Sequence, residues 1–347
     1  MTVRRPVVVS TGPWEDPGWE RPLVDAGFEV RVGPSADLYP NHRIGDSGLV
    51  AMLEDADAWL VSGREDATRE ILAACPRLRI VVKATIGVER VDIRAATDLG
   101  ILVVNSPAPE NFTGMAEAAV MLMLALTKRL GPKERLLRSG TWRDHTGLGT
   151  LLAGSTVGIV GLGRIGGGVA RRLAPFGVHL LANDPYIDSA RATDHDAELV
   201  DLPTLLARSD IVTLHVPLTE ETRQLIGARE LEQLGPEAWL VNTSRGPVVS
   251  EAALVDALER GVIAGAAIDV FDGEPLAPDS ALRRVDPDRL ILTPHSVGAN
   301  LSMRVTGTRM AIEAIIASTA GTVPDHVLNP EVVPAWLARF GGEGVGG

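Results

Sequence analysis

Short apolar runs, many of them β-branched, alternate with Ala- and Leu-rich stretches along most of the chain. The runs predict strands at Val7–Ser10, Phe28–Val32, Ala58–Val61, Ile80–Lys83, Leu102–Asn105, Thr156–Val160, His179–Ala182, Ile211–Leu214, Trp239–Asn242, Gly265–Asp269 and Leu290–Thr293. Most are apolar without interruption, the pattern of parallel strands covered on both faces. With helical stretches between them they form βα units, so the fold class is α/β with doubly wound parallel sheets. Eleven strands are too many for one comfortable sheet, and two sheets are expected.

Residues 116–130 read as one long helix, with no turn signal until Gly131-Pro132. Pro107, Pro109 and Asn111 before it read as a loop or hinge. From residue 109 to 300 the chain resembles one complete dinucleotide-type domain. A helix over Met303–Ser318 then returns to the first domain, making that domain discontinuous: residues 1–108 with 301–347. The Gly-rich tail Gly341–Gly347 reads as unstructured.

Composition narrows the function classes. The 347 residues are 45% hydrophobic and 22% charged, enough to bury a sizeable core. With 45 acids against 33 bases the net charge is −12, and no basic stripe suggests nucleic acid or an anionic membrane surface. Cys75 is the one cysteine, so no internal disulfide and no Cys-based metal site is expected. It reads as a structural residue at a helix end. The N-terminus has only a three-residue apolar run, where a signal peptide needs about 7–15. The longest apolar stretch, Ala118–Leu126, has nine residues, short of the ~20 that span a bilayer. A cytoplasmic protein is expected.

Gly161-Leu-Gly163-Arg-Ile-Gly166 follows the strand Thr156–Val160 and opens a helix containing Val169–Leu173. The first glycine permits a tight turn, the second lets backbone approach a pyrophosphate, and the third allows close helix–strand packing. The helix start then offers N–H groups to phosphate. Asp184 lies 21 residues after Gly163, where a carboxylate binds ribose hydroxyls and repels a 2′-phosphate. No Arg or Lys occurs in the next six residues, which favours NAD over NADP. The plainer reading is a glycine turn with a helix-capping aspartate.

Three polar residues sit after predicted strands, where open α/β sheets place their ligand crevice. Arg245 follows Trp239–Asn242, Glu274 follows the strand ending at Asp269, and His295 follows Leu290–Thr293. Histidine suits proton transfer in both directions near neutral pH. A carboxylate beside it would orient the ring and favour imidazolium. Arginine offers a planar fork for a carboxylate. Taken singly, Glu274 could be a surface turn, His295 a loop histidine and Arg245 a helix-start residue. Spacing alone does not bring the three together.

Five stretches together resemble the D-isomer-specific 2-hydroxyacid dehydrogenase family: Gly154–Gly166, Leu214–Thr219, Val241–Val249, Gly265–Pro275 and Leu292–His295. The resemblance spans roughly Ile80 to Gly298. It implies a Rossmann NAD-binding domain plus a flavodoxin-like substrate domain, and NAD-dependent interconversion of a small D-2-hydroxy acid and its 2-oxo acid. It implies a triad in which Arg245 binds substrate, His295 is the acid/base and Glu274 its partner. Cofactor contacts would come from Gly161, Gly163, Arg164, Ile165, Gly166, Asp184, His215, Pro217, Thr243 and Asp269, the last to the nicotinamide carboxamide. His215 also reads as a strand-end histidine packed beneath the adenosine. The family's substrate loop corresponds to Ala84–Asp92, making the amides of Ile86 and Gly87 candidates for the substrate carboxylate. Glu89-Arg90 departs from the common form there. Arg64 is a candidate for the substrate tail, against a solvated loop arginine.

The long helix resembles the arm through which family members form homodimers by the NAD-binding domain; an ordinary core helix is the alternative. Nothing after Pro330 has the length of an appended regulatory domain. An NAD-sensing co-repressor-like binding protein is a competing class, which the intact Arg245, Glu274 and His295 set disfavours. A phosphite-type dehydrogenase would share the triad, whereas formate-type members lack the Glu–His pairing. Specificity is expected in loops near Thr11–Trp14, Ser62–Arg64 and Ala84–Glu89 and in the hinge near Glu110–Thr113.

Overall fold

Apolar runs become strands here because helices cover both of their faces, and the alternation of side chains shows which layer each residue meets. The computed structural model describes residues 4–12, 17–33, 44–61, 63–143 and 147–341. Residues 1–3, Pro13 and Trp14 of the first specificity loop, Ser62 of the second, and residues 342–347 of the Gly-rich tail lie outside the described residues. The chain divides into two units, Met1–Glu110 with Asn300–Gly347, and Asn111–Ala299.

The first unit contains β1 (Val7–Ser10), β2 (Glu29–Val32), β3 (Ala58–Leu60), β4 (Ile80–Val82) and β5 (Leu102–Val104). The strands are parallel, in the order β2-β1-β3-β4-β5. This flavodoxin-like order has its switch point between β1 and β3. Val7, Val9, Trp59, Val81 and Val103 pack into one apolar layer, and Val8, Ala58, Leu60, Ile80, Val82 and Leu102 into the other. Successive residues thus serve opposite faces.

The second layer explains why the C-terminal segment belongs to this unit. Ala311 and Ile315 on helix Leu301–Thr319, and Trp336 on helix Val333–Phe340, are fully buried in it. Truncating such a tryptophan costs about 3–5 kcal/mol. Buried Asn329 ties the segment to β5: its Oδ1 accepts from Val103 N (2.9 Å), and its Nδ2 donates to Ile101 O (2.9 Å).

The second unit contains β6 (Thr156–Val160), β7 (His179–Asn183), β8 (Ala197–Leu199), β9 (Ile211–Leu214), β10 (Trp239–Asn242), β11 (Gly265–Ile268) and β12 (Leu290–Leu292). All pairs are parallel, in the order β12-β11-β10-β9-β6-β7-β8. The chain winds outward from β6 through β8, then returns to β9 on the other side. That reversal is the Rossmann switch point, and it opens a crevice at the carboxyl ends of β6 and β9. The two doubly wound sheets are those the apolar pattern predicts.

Several local expectations are corrected. The helix expected over residues 116–130 runs over Pro109–Thr127, so Pro109 and Asn111 lie inside it rather than in a loop. Proline suits a first helical position because its missing N–H has no partner there anyway. The helix ends where Arg129 takes a left-handed φ of 52°, and Thr150 N donates to the Thr127 carbonyl (2.8 Å). Gly131 and Pro132 then fall in the first turn of a second helix, Leu130–Arg138. The helix that the glycine motif opens does start there, at Arg164, and close packing overrides the poor helix propensity of three consecutive glycines. A twelfth strand, β8, has no counterpart among the predicted runs. It is a three-residue edge strand, and its central Glu198 pairs with Arg208 at 2.8 Å.

Candidate active site

The glycine motif in the second unit forms a tight cradle. Gly161 has φ +88°, and a Cβ there would meet the His215 carbonyl at 2.7 Å; a Cβ on Gly166 would meet the Gly161 carbonyl at 2.0 Å. A Cβ on Gly163 would have no heavy atom within 4 Å, so open space lies over the turn where the helix Arg164–Leu173 begins. Arg164 rests its guanidinium on the Phe112 ring, 4.1 Å from the centroid, and Ile165 packs against the apolar layer below.

Asp184, just beyond β7, braces this turn. Its Oδ2 accepts from Leu162 N (2.9 Å), and its Oδ1 accepts from Tyr186 N (3.0 Å). It caps the cofactor turn, not a helix. A cleft of about 540 Å³ opens beside it, lined by Leu162, Gly163, Tyr186, Asp188 and Arg191 among others. Arg191, seven residues past Asp184, lies just beyond the six-residue stretch that holds no cation.

On the other side of the switch point, His215 and Thr213 share a hydrogen bond of 3.0 Å between Nε2 and Oγ1. Burial pushes the His215 imidazole down to about 4, so it is neutral at pH 7. Pro217 is exposed, and its carbonyl accepts from Thr222 Oγ1 (2.6 Å), which shapes the loop after β9. The buried Thr243 hydroxyl has no partner among the described residues. Asp269 is 1% exposed; its Oδ1 holds three donors, while among the described residues Oδ2 has only a long 3.4 Å approach from Val297 N. An open glycine cradle, a carboxylate braced at its edge, an orphaned buried hydroxyl and spare acceptor capacity on Asp269 fit NAD.

Three adjacent strands, β10, β11 and β12, bring the catalytic candidates to the same carboxyl edge. Arg245 is placed by Asn242, whose Nδ2 donates to the Arg245 carbonyl (3.0 Å) and whose Oδ1 accepts from Ser244 N (3.1 Å) and Oγ (2.8 Å). Gly246 lies directly against the Phe271–Asp272 backbone of the loop that carries Glu274. Glu274 Oε1 accepts from Phe271 N (3.0 Å), and its Oε2 lies 2.7 Å from His295 Nδ1. His295 has φ +51° and a side chain 48% exposed, with Nε2 the ring nitrogen not engaged by Glu274.

The charges act in concert. The hydrogen bond to Glu274 raises the pKa of His295 above its ordinary value. Burial and Arg245 oppose that shift, while the charges of Glu274 and Asp269 add to it. Burial alone would raise Glu274, but the His295 hydrogen bond, the Phe271 amide and the charges of His295 and Arg245 outweigh it and hold the carboxyl low. Burial raises Asp269 against its own donors. The arrangement is a histidine–carboxylate pair that favours the protonated ring, within the field of an arginine, and is suited to handing a proton to an oxygen beside a carboxylate.

The remaining candidates lie in the first unit. Ile86 is fixed by its carbonyl, which accepts from Asn105 Nδ2 (2.9 Å). Gly87 follows it in the same half-buried turn. Arg64 is half-buried and donates from Nη2 to the Thr11 carbonyl (3.3 Å), so it is not simply a solvated loop residue. Sequence reasoning passes over Asn242, Asn105 and Thr293, polar residues at strand ends; Asn242 bonds its near neighbours Ser244 and Arg245, whereas Asn105 and Thr293 bond partners 19 and 24 residues away. It also passes over Lys83, which is 5% exposed at the end of β4 and which burial pushes down to about 8.

A family model described as D-isomer specific 2-hydroxyacid dehydrogenase, NAD binding domain, matches residues 120–297. The chain is 41% identical over 297 residues to a D-3-phosphoglycerate dehydrogenase of Mycobacterium tuberculosis, covering 83% of this chain and 55% of that protein. It thus spans about half the length of that relative. It is 37% identical over 338 residues to a glyoxylate reductase of Thermofilum pendens, covering 95% of this chain and 96% of that protein. Among solved structures, a D-lactate dehydrogenase of Aquifex aeolicus complexed with NAD and lactic acid superposes with a TM-score of 0.78 at 26% identity, covering 95% of this chain and 98% of that one.

Proposed function

The chain belongs to the D-isomer-specific 2-hydroxyacid dehydrogenase family, and we propose that it is an NAD-dependent oxidoreductase interconverting a D-2-hydroxy acid and its 2-oxo acid. The observation that carries this reading is the His295–Glu274 pair at 2.7 Å, under the charge of Arg245, at the carboxyl edge of the sheet that bears the glycine cradle. NAD, when bound, accepts or supplies the hydride. Arg245 binds the substrate carboxylate and polarises the adjacent carbonyl. His295 gives its proton to the carbonyl oxygen in reduction and takes it back in oxidation. Glu274 orients the ring and stabilises its charged form. Thr243 and Asp269 serve the nicotinamide end, and Gly161–Gly166 with Asp184 the pyrophosphate and adenosine ribose; His215 and Pro217 line the adenosine side. Ile86, Gly87 and Arg64 are proposed as further substrate contacts.

The test is NADH oxidation across a panel of small 2-oxo acids. One or more should be turned over, and Arg245→Ala or His295→Ala should each remove most of the rate. Turnover indifferent to both substitutions would overturn the mechanism. NAD-dependent assembly without turnover would favour a co-repressor-like role instead.

We propose further that the protein is a cytoplasmic homodimer. Leu130, Leu137, Trp142, Leu148 and Leu151 are 58–82% exposed within one stretch of the second unit, an apolar concentration that a second copy would cover. Leu148→Glu with Leu151→Glu should yield monomers in sedimentation; unchanged mass would refute this surface. No helix among the described residues is long and apolar enough to cross a membrane. A lone buried cysteine makes no demand for an oxidising compartment.

A further inference from the structure

We propose that Thr293 is a positioning residue for the acid/base pair, holding His295 in register with Glu274 through the carboxylate of Asp269. The proposal rests on the dehydrogenase reading above. It starts from a buried carboxylate held by hydrogen bonds. Asp269 is 1% exposed, and a carboxylate so placed needs donors. It has them on both sides of His295. Thr293 Oγ1 donates to Oδ1 at 2.6 Å from before the histidine, and the Ser296 and Val297 amides donate at 3.1 and 3.2 Å from after it. Thr293 supplies the shortest of these three bonds, and the one that comes from a side chain.

Between those two feet the backbone arches. His295 sits at φ +51°, a region that non-glycine residues rarely adopt and that persists only where the surroundings over-determine it. The backbone of Asp269 adds to the hold, because its carbonyl accepts from His295 N (2.8 Å). Thr293 N in turn donates to the Ile268 carbonyl (3.1 Å), which anchors the leading foot to β11. One aspartate therefore clamps the whole turn, and the threonine hydroxyl is its leading donor. Without that hydroxyl, the strained arch can relax and His295 Nδ1 can move from Glu274 Oε2. The charged groups that face His295 are Glu274 and Asp269, which favour imidazolium, and Arg245, which opposes it.

The test compares Thr293→Val with Thr293→Ser. Each would be assayed for oxo-acid reduction against pH and, independently of turnover, for the His295 ring titration by NMR. Valine keeps the shape and removes the donor; serine keeps the donor and removes a methyl. In Thr293→Val, kcat should fall about 10- to 100-fold, as expected for a roughly 1 Å misplacement, while KM for the oxo acid changes less than about threefold. The His295 titration should move towards its ordinary value. Thr293→Ser should restore both to near wild type. A valine variant that folds with unchanged kcat and an unmoved titration overturns the proposal. So does a serine variant as impaired as valine with the titration unmoved, since the methyl would then matter instead of the bond. Absence of turnover in the wild type would count against the dehydrogenase reading, and the NMR titration would still decide the clamp.

Discussion

Replacing Gly246 with alanine tests whether backbone packing between two loops builds the catalytic edge. The added Cβ would stand 1.9 Å from the Phe271 carbonyl carbon, 2.1 Å from its oxygen and 2.5 Å from Asp272 N. All three are backbone atoms, so no side-chain rotation relieves the clash. Separation from 1.9 Å to the 3.4 Å at which ordinary van der Waals packing begins requires a retreat of about 1.5 Å. The segment that retreats carries Glu274 and, through it, the orientation of His295; the segment that pushes carries Arg245. Overpacking of this kind costs about 1–3 kcal/mol, which lowers Tm by about 2–4 °C per kcal/mol in a unit of this size. Misplacement by more than 1 Å predicts a loss of about 100-fold in kcat/KM. Gly273→Ala is the control, because a Cβ there meets no heavy atom within 4 Å. The assay is steady-state reduction of the best 2-oxo acid alongside thermal melting. If Gly246→Ala kept kcat/KM within about threefold of wild type, the close approach of these loops would have no part in assembling the site.

Other outcomes follow from the same geometry. In Glu274→Gln the amide oxygen can still accept from His295 Nδ1, but the negative charge that favours the protonated ring is removed, so the pH limb above which oxo-acid reduction fails should move to lower pH. The sign follows because reduction uses the protonated ring, which persists to higher pH only while Glu274 favours it; an unmoved limb would refute the pairing. Asp184→Ala removes the acceptor of Leu162 N and, on the proposed reading, the carboxylate that repels a 2′-phosphate. The ratio of kcat/KM with NADH to that with NADPH should drop by about tenfold or more, the scale of 1–2 kcal/mol. An unchanged ratio would shift the discrimination elsewhere in the cleft that Arg191 shares. Burial pushes the Cys75 thiol up to about 11, and its Sγ lies 3.1 Å from the Ile71 carbonyl. It should resist a disulfide reagent until the protein unfolds; rapid modification of the native protein would contradict its place in the core.

The strand positions are legible along the chain because fully covered parallel strands leave uninterrupted apolar runs. The ends are less legible: Lys83 and Asn105 fall just outside β4 and β5, although Lys83 is still buried and its N donates to the Val104 carbonyl (2.9 Å). The long helix differs from its sequence pattern at both ends. Proline marks a break in local terms but is accommodated in a first turn, and the true stop at Arg129 has no residue signature. The glycine cradle and Asp184 can be found by spacing, because turn, strand and helix there are consecutive.

By itself, the order of residues determined the alternation of strand and helix, the two-sheet class and the phosphate turn. Each depends on local period or on glycine's missing side chain. Tertiary structure alone decided that Arg245, Glu274 and His295 share an edge, for their meeting depends on β10, β11 and β12 lying side by side. It also decided that Asp269 clamps the histidine turn and that Asn329 draws the C-terminal helices back to β5. These interactions join residues far apart in the chain. Crossover packing selects them, and no window of sequence contains both partners.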